Sequence, residues 1–217
     1  MNIIGNKQMI QPPQWMRALY GDAFWREKTT DKTVYLTFDD GPVPHPTPWV
    51  LDLLKQYNIK ATFFCVGENI DKHPEIYRQL IEQKHSVGNH CYHHTKAFSV
   101  SHKEYFKDIA RANHKMETTL FRPPHGQLYP WYMKELNKIF SKIVFWYVMP
   151  MDYDSRLTAN DVFENVRQFV RPGSVVVFHD SLKAFDRLQT ALPRTIEELL
   201  SKNYTFKTLS STLNKAQ

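Results

Sequence analysis

Short apolar runs recur along the chain, and the stretches between them carry apolar residues at helical spacing. The runs are Thr33–Asp39, Ala61–Val66, His85–Gly88, Leu120–Arg122, Ile143–Val148, Ser174–His179 and Thr205–Leu209. They are rich in Val, Ile, Phe and Tyr, and several are almost continuously hydrophobic, as strands covered on both faces should be. Helix starts are legible between them. Thr47 with Pro48 reads as an N-cap followed by proline at the first helical position. Ser101 with Glu104 reads as a capping box opening a helix towards Thr119, and Thr158 with Asp161 does the same for Val162–Val170. A last helix is expected around Leu188–Lys202, with Pro193 producing a kink or a late start.

Strands alternating with helices predict an α/β protein with a mostly parallel sheet, either open and doubly wound or closed into a barrel. In both, loops at the carboxyl ends of the strands carry the chemistry. Polar clusters fall there, after Phe38, Val87, Phe121, Val148 and Phe178.

The 217 residues suit one well-buried domain, and neither repeats nor low-complexity segments interrupt them. The formal charge is +6, but the Lys and Arg residues are scattered and form no basic run, which argues against a nucleic-acid partner. Two cysteines are too few for a four-thiolate zinc site or a disulfide framework. Cys65 reads as a buried thiol, and Cys91 follows a candidate ligand but points away from it. No run approaches the roughly 20 apolar residues of a membrane span, and no signal peptide is visible. A cytoplasmic location is therefore expected, with export as the alternative. The oligomeric state is not legible.

Each polar cluster has a chemical reading and a plain one. Asp39-Asp40-Gly41 offers two carboxylates facing opposite ways, or simply an Asp-Gly turn. His90 and His94 are spaced so that one helical turn would bring both imidazoles to the same side, a bidentate grip for zinc or its first-row neighbours. The alternative is a His-containing polar loop, and His93 would point elsewhere. Arg122 stands before the stiff Pro123-Pro124, so it can hold a carboxylate while the His125 N–H is aimed at an oxyanion, or it is simply a surface Arg on a rigid turn. Asp152 can orient an imidazole and Tyr153 can stack on a sugar face, or the pair is a helix-capping Asp beside a core Tyr. His179 closes a buried strand, where a satisfied core histidine is the usual reading. Five such clusters on successive strand ends shift the balance towards a site.

In combination these residues resemble the NodB-type polysaccharide deacetylases, carbohydrate esterase family 4, from about Val34 to Leu209. Thr37-Phe-Asp-Asp-Gly-Pro42 is similar to the first family motif, Asn89-His-Cys-Tyr-His-His94 to the second and Arg122-Pro-Pro-His-Gly126 to the third. Asp152-Tyr153 and Val177-Phe-His179 are similar to the fourth and fifth. The resemblance implies a distorted, incomplete (β/α) barrel of about seven parallel strands over residues 33–217, with residues 1–32 as an extension packing on it. It implies a hydrolase that removes N-acetyl groups from an amino-sugar glycan of chitooligosaccharide or peptidoglycan type. Asp40, His90 and His94 would bind a divalent metal, zinc first and cobalt or nickel as alternatives. Asp39 would be the base, held by Arg122, and His179 the acid, held by Asp152. Pro124, His125, Tyr153 and Phe178 would shape the sugar pocket. The chain departs from the family where His125 replaces an aromatic, Tyr153 a Trp, Thr95 a Pro and Met149 an Asp.

Three rival readings follow. The aromatic stretch Trp15–Trp25 in a basic chain suggests peripheral membrane contact and a lipid-linked sugar as substrate of a deacetylase or deformylase; capping of the barrel bottom is the expected alternative. A small non-sugar amide is a second possible substrate. A non-catalytic glycan-binding module is the third reading, and every proposed catalytic residue type being present argues against it.

Overall fold

The computed structural model describes residues 10–209. Seven strands are present among the described residues: β1 Thr33–Asp39, β2 Thr62–Cys65, β3 Ser86–Asn89, β4 Leu120–Phe121, β5 Lys142–Ile143, β6 Ser174–His179 and β7 Thr205–Phe206. All the strand pairs are parallel, in the order β5-β4-β3-β2-β1-β6, and β7 lies beside the start of β1. Every residue of β1 and β6 is buried. That burial accounts for their nearly unbroken apolar sequence.

The predicted strand Ile143–Val148 divides between two edges. Its start pairs with β4, whereas Val148 bridges in parallel to Val176 of β6. One segment thus leans on both edges of the curved sheet, and a distorted barrel results. Residues 24–26 enter the gap at the seam, where Phe24 bridges to Val144 and Arg26 to Ser174. Trp25 stacks on Phe145 at 4.4 Å, and the Tyr20 hydroxyl donates to the Leu128 carbonyl at 3.0 Å. The exposed side chains of Trp15 and Leu19 precede this anchor. No helix among the described residues is long and apolar enough to cross a membrane.

Two predicted capping boxes are present. Ser101 and Glu104 open the helix His102–Met116, which stops three residues before the expected end, and Thr158 and Asp161 open Ala159–Phe169. The Thr47 cap is a correction: the helix begins at Pro46, with His45 in the N-cap position and no side-chain cap. The Thr47 hydroxyl is committed elsewhere, accepting from Val43 N–H at 2.8 Å and donating to Asp180 at 2.5 Å. The last helix runs Phe185–Ser201, starting earlier than predicted and containing Pro193.

Candidate active site

Parallel strands deliver their ends to one face, and a cavity of about 410 Å³ opens there. Its walls include Asp39, Asp40, His90, His94, Arg122, His125, Tyr153 and His179. Residues far apart in sequence meet because every crossover returns the chain to the same end of the sheet.

Arg122 organises the centre. It is 2 % exposed, a burial a guanidinium tolerates only with full pairing. It donates to Asp39 Oδ1 at 2.6 Å, to Thr37 Oγ1 at 2.8 Å and to the carbonyls of Val144 and Phe145 at 3.3 and 3.1 Å. Those two carbonyls belong to the segment that crosses between sheet edges. One side chain therefore orients a carboxylate and satisfies the seam.

His90, His94 and Asp40 bring one donor atom each within 4.8 Å of one another. His90 Nδ1 lies 2.8 Å from the Arg122 carbonyl, an acceptor that fixes the proton on Nδ1 and turns the Nε2 lone pair into the cavity. Burial is the main influence on His90 and pushes its pKa down to about 4, leaving the imidazole neutral as a metal ligand must be. His94 Nε2 stands 3.2 Å and His90 Nε2 3.9 Å from Asp40 Oδ1. That oxygen is buried and takes no well-directed hydrogen bond. Burial would raise the Asp40 pKa, but the His94 imidazole close beside it and the charges of His179, His94 and His90 hold it below the usual carboxylate range. Two imidazole nitrogens and an unsatisfied carboxylate oxygen around one point are the donor set of a divalent cation.

The helical-turn reading of His90–His94 is a correction. Residues 90–96 form a loop in which Cys91 and His94 adopt φ of 62° and 56°. Asp108 holds this loop, accepting from the N–H groups of Tyr92 and His93 at 3.1 Å each and from the Thr95 hydroxyl at 2.8 Å, while His93 Nδ1 lies at 2.6 Å. Replacing Asp108 with Ala should therefore weaken metal affinity by about tenfold while all three ligands remain. Unchanged affinity by competition with a chelating dye would refute this role.

On the opposite wall, His179 Nδ1 and backbone N–H reach Asp152 at 2.7 and 2.8 Å. Burial would lower the His179 pKa, but the charge and hydrogen bond of Asp152, with Asp40 and Asp39 behind them, raise it to about 9. His179 is thus cationic at neutral pH. Tyr153 meets its ring edge-on at 4.9 Å. His125 packs against His94 at 4.5 Å, and partial burial, with the charges of His94 and Lys96, pushes its pKa down to about 4.

Two predicted pocket residues lie elsewhere. Phe178 is fully buried and stacks on Phe38, because its position in the strand points it into the core. Pro124 is buried outside the lining, and Pro123 takes the wall position. Trp146, Met149, Gly126 and Lys183 also line the cavity, and the sequence alone did not single them out as wall residues. Gly126 is required: its φ is +65°, and a Cβ would fall 2.5 Å from the Trp146 ring.

Three further residues support the site, and two of them, Asp108 and Asp180, had readable signals. Asp108 is a carboxylate on the buried face of its helix with Tyr105, Ile109 and Ala112. Asp180 follows His179 at a buried strand end and accepts from Gly41 N–H at 3.1 Å, so closely that a Cβ on Gly41 would overlap it. Asn69 donates to the Asp40 carbonyl at 2.8 Å.

The left-handed residues divide into two groups. Asn58, Lys84, Glu117 and Asn203 follow helix ends and His45 precedes the helix Pro46–Gln56, whereas Asp40, His94 and His125 line the cavity, with Cys91 and Met151 in the loops that carry its residues. Strain of order 1–3 kcal/mol per residue is concentrated where the side chains must be aimed.

Comparison with known proteins agrees with this geometry. The family model "Polysaccharide deacetylase" matches residues 26–143. A peptidoglycan-N-acetylglucosamine deacetylase of Bacillus cereus is 33% identical over 204 residues, covering 89% of this chain and 93% of its own. The peptidoglycan-N-acetylmuramic acid deacetylase of Bacillus subtilis is 28% identical over 197 residues, covering 87% and 74%. Among solved structures, a peptidoglycan N-acetylglucosamine deacetylase in complex with 4-naphthalen-1-yl-N-oxidanyl-benzamide matches with a TM-score of 0.83 at 33% identity, over 91% of this chain and 94% of that one.

Proposed function

Because the chain belongs to the polysaccharide deacetylase family, we propose that it hydrolyses the acetamido group of an N-acetylated amino-sugar glycan of the peptidoglycan type, releasing acetate and a free amine. One observation carries the reading. An Arg-held carboxylate and a cationic imidazole line the same cavity as a three-ligand metal set.

Asp40, His90 and His94 are the residues that would hold the cation, and zinc suits one carboxylate with two imidazoles. The cation supplies Lewis-acid polarisation of the acyl carbonyl and makes water acidic enough to lose a proton near neutral pH. Asp39 keeps Oδ1 on Arg122 and uses Oδ2, on the cavity side, to accept that proton. His179 donates its proton to the leaving amine, and Asp152 keeps the imidazole charged and correctly turned. Trp146, Met149 and Tyr153 exclude water around the acyl group.

The sign of the pH dependence follows from the His179 pKa. An acid raised to about 9 is competent below that pH and lost above it. Asp152→Asn removes the charge that does most to raise it, so the alkaline limb of kcat/KM should move at least about one unit to lower pH. An unmoved limb would eliminate His179 as the acid.

The reaction itself is tested by acetate release from N-acetylglucosamine oligomers and peptidoglycan fragments. Metal-stripped protein should be inactive and regain activity with zinc, cobalt or nickel. Stoichiometric metal without acetate from either substrate would overturn the proposal.

A further inference from the structure

Outside the cavity, the most distinctive unexplained surface is aromatic. Phe98 is 52% and Trp131 69% exposed, in a chain whose other large rings are mostly covered. They are joined through Tyr129, whose ring centroid is 4.7 Å from Phe98 and 4.7 Å from Trp131. The Tyr129–Trp131 pair is stacked with an interplanar angle of 23°, so Trp131 has one ring face against tyrosine and presents its other side outward. Trp131 also borders a shallow depression of about 460 Å³ with Lys134, Glu135, Lys138 and Ile139.

The location ties this surface to the cavity. Phe98 lies on the loop that leaves β3, and Tyr129 and Trp131 lie on the segment that leaves β4; the two strands are paired neighbours. Both segments therefore emerge on the face that holds the cavity. Both also contribute to it, through His94 on the first and His125 and Gly126 on the second, and those two imidazoles are in contact. Lys96, whose charge acts on His125, stands between His94 and Phe98 in the chain.

We propose that Phe98, Tyr129 and Trp131 form a platform for the sugar units of the glycan chain beyond the one being deacetylated. This rests on the glycan reading above and extends it to a preference for longer chains. A pyranose presents C–H groups on one face and hydroxyls around its edge, matching an exposed ring bordered by polar groups. Lys134 and Lys138 supply donors beside Trp131, and Glu135 supplies an acceptor already held by His102 at 2.9 Å. Tyr129 holds Trp131 by stacking at 23° and Phe98 at a tilt of 57°, so the exposed rings are fixed in place beside polar groups, which suits a sugar ring with its apolar face and polar edge.

The test compares an N-acetylglucosamine disaccharide with the pentasaccharide, using wild type, Phe98→Ala and Trp131→Ala. On the pentasaccharide each variant should raise KM about fivefold to tenfold with kcat little changed, and on the disaccharide KM should stay at the wild-type value. Equal losses on both lengths, or no loss on either, would overturn the platform. A parallel titration by calorimetry uses Asp39→Asn protein alone and combined with Trp131→Ala. Weaker pentasaccharide binding in the double variant supports the platform even where no acetate is released, which separates its failure from failure of the reaction. Binding to anionic phosphatidylglycerol vesicles that requires Trp131, with no dependence on glycan length, would assign the surface to a lipid instead and overturn the proposal.

Discussion

Asparagine at position 39 should leave the metal bound and reduce acetate release by about 10²–10⁴-fold, the range for loss of a general base. Asp39 Oδ1 is already engaged at 2.6 Å by Arg122, so only Oδ2 is available to take a proton. An amide can keep its oxygen on Arg122, but its NH₂ then faces the cavity and accepts nothing. The substitution also leaves the buried guanidinium without its counter-charge. Arg122 retains Thr37 and two carbonyls, so the variant should fold with a lower melting temperature. Metal content and circular dichroism at the assay temperature separate the two effects. Turnover within a few-fold of wild type would remove Asp39 as the base.

The second large effect concerns metal. His90→Ala should lower affinity by more than the roughly 10–100-fold typical of losing a hydrogen-bond partner behind a ligand, because a ligand itself is gone. The remaining donors, Asp40 and His94, lie 3.2 Å apart on one side of the set. The alanine also removes the acceptor-directed imidazole that braces the Arg122 carbonyl at 2.8 Å. After dialysis, mass spectrometry should find about one metal per wild-type chain and almost none in the variant. Stoichiometric metal in the His90→Ala protein would refute the ligand set.

Much of this site is local in origin and so was legible. Asp39 and Asp40 are neighbours in the chain, and a strand end separates their directions in any fold. Pro123 and Pro124 stiffen the backbone wherever they occur. The capping boxes at Ser101 and Thr158 appear as read, since a cap involves only residues three apart. Thr47 was misread because its hydroxyl answers to Asp180, a partner 133 residues away. His90 and His94 meet through a loop instead of a helical turn, because Asp108 holds the intervening N–H groups. Phe178 and Pro124 came with the family resemblance, whereas strand alternation turns Phe178 into the core and Pro123 rather than Pro124 reaches the cavity.

The sequence by itself determined the alternation of strands and helices, and it placed carboxylates, imidazoles and an arginine at the strand ends. Those are properties of short windows, governed by periodicity, capping and backbone stiffness. Only the tertiary structure decided that the segment 142–148 leans on both sheet edges, that Arg122 satisfies its open carbonyls, and that Lys183, Trp146 and Met149 complete the wall. Such features depend on which distant backbone groups remain unpaired once the sheet has curved, and burial makes their pairing obligatory.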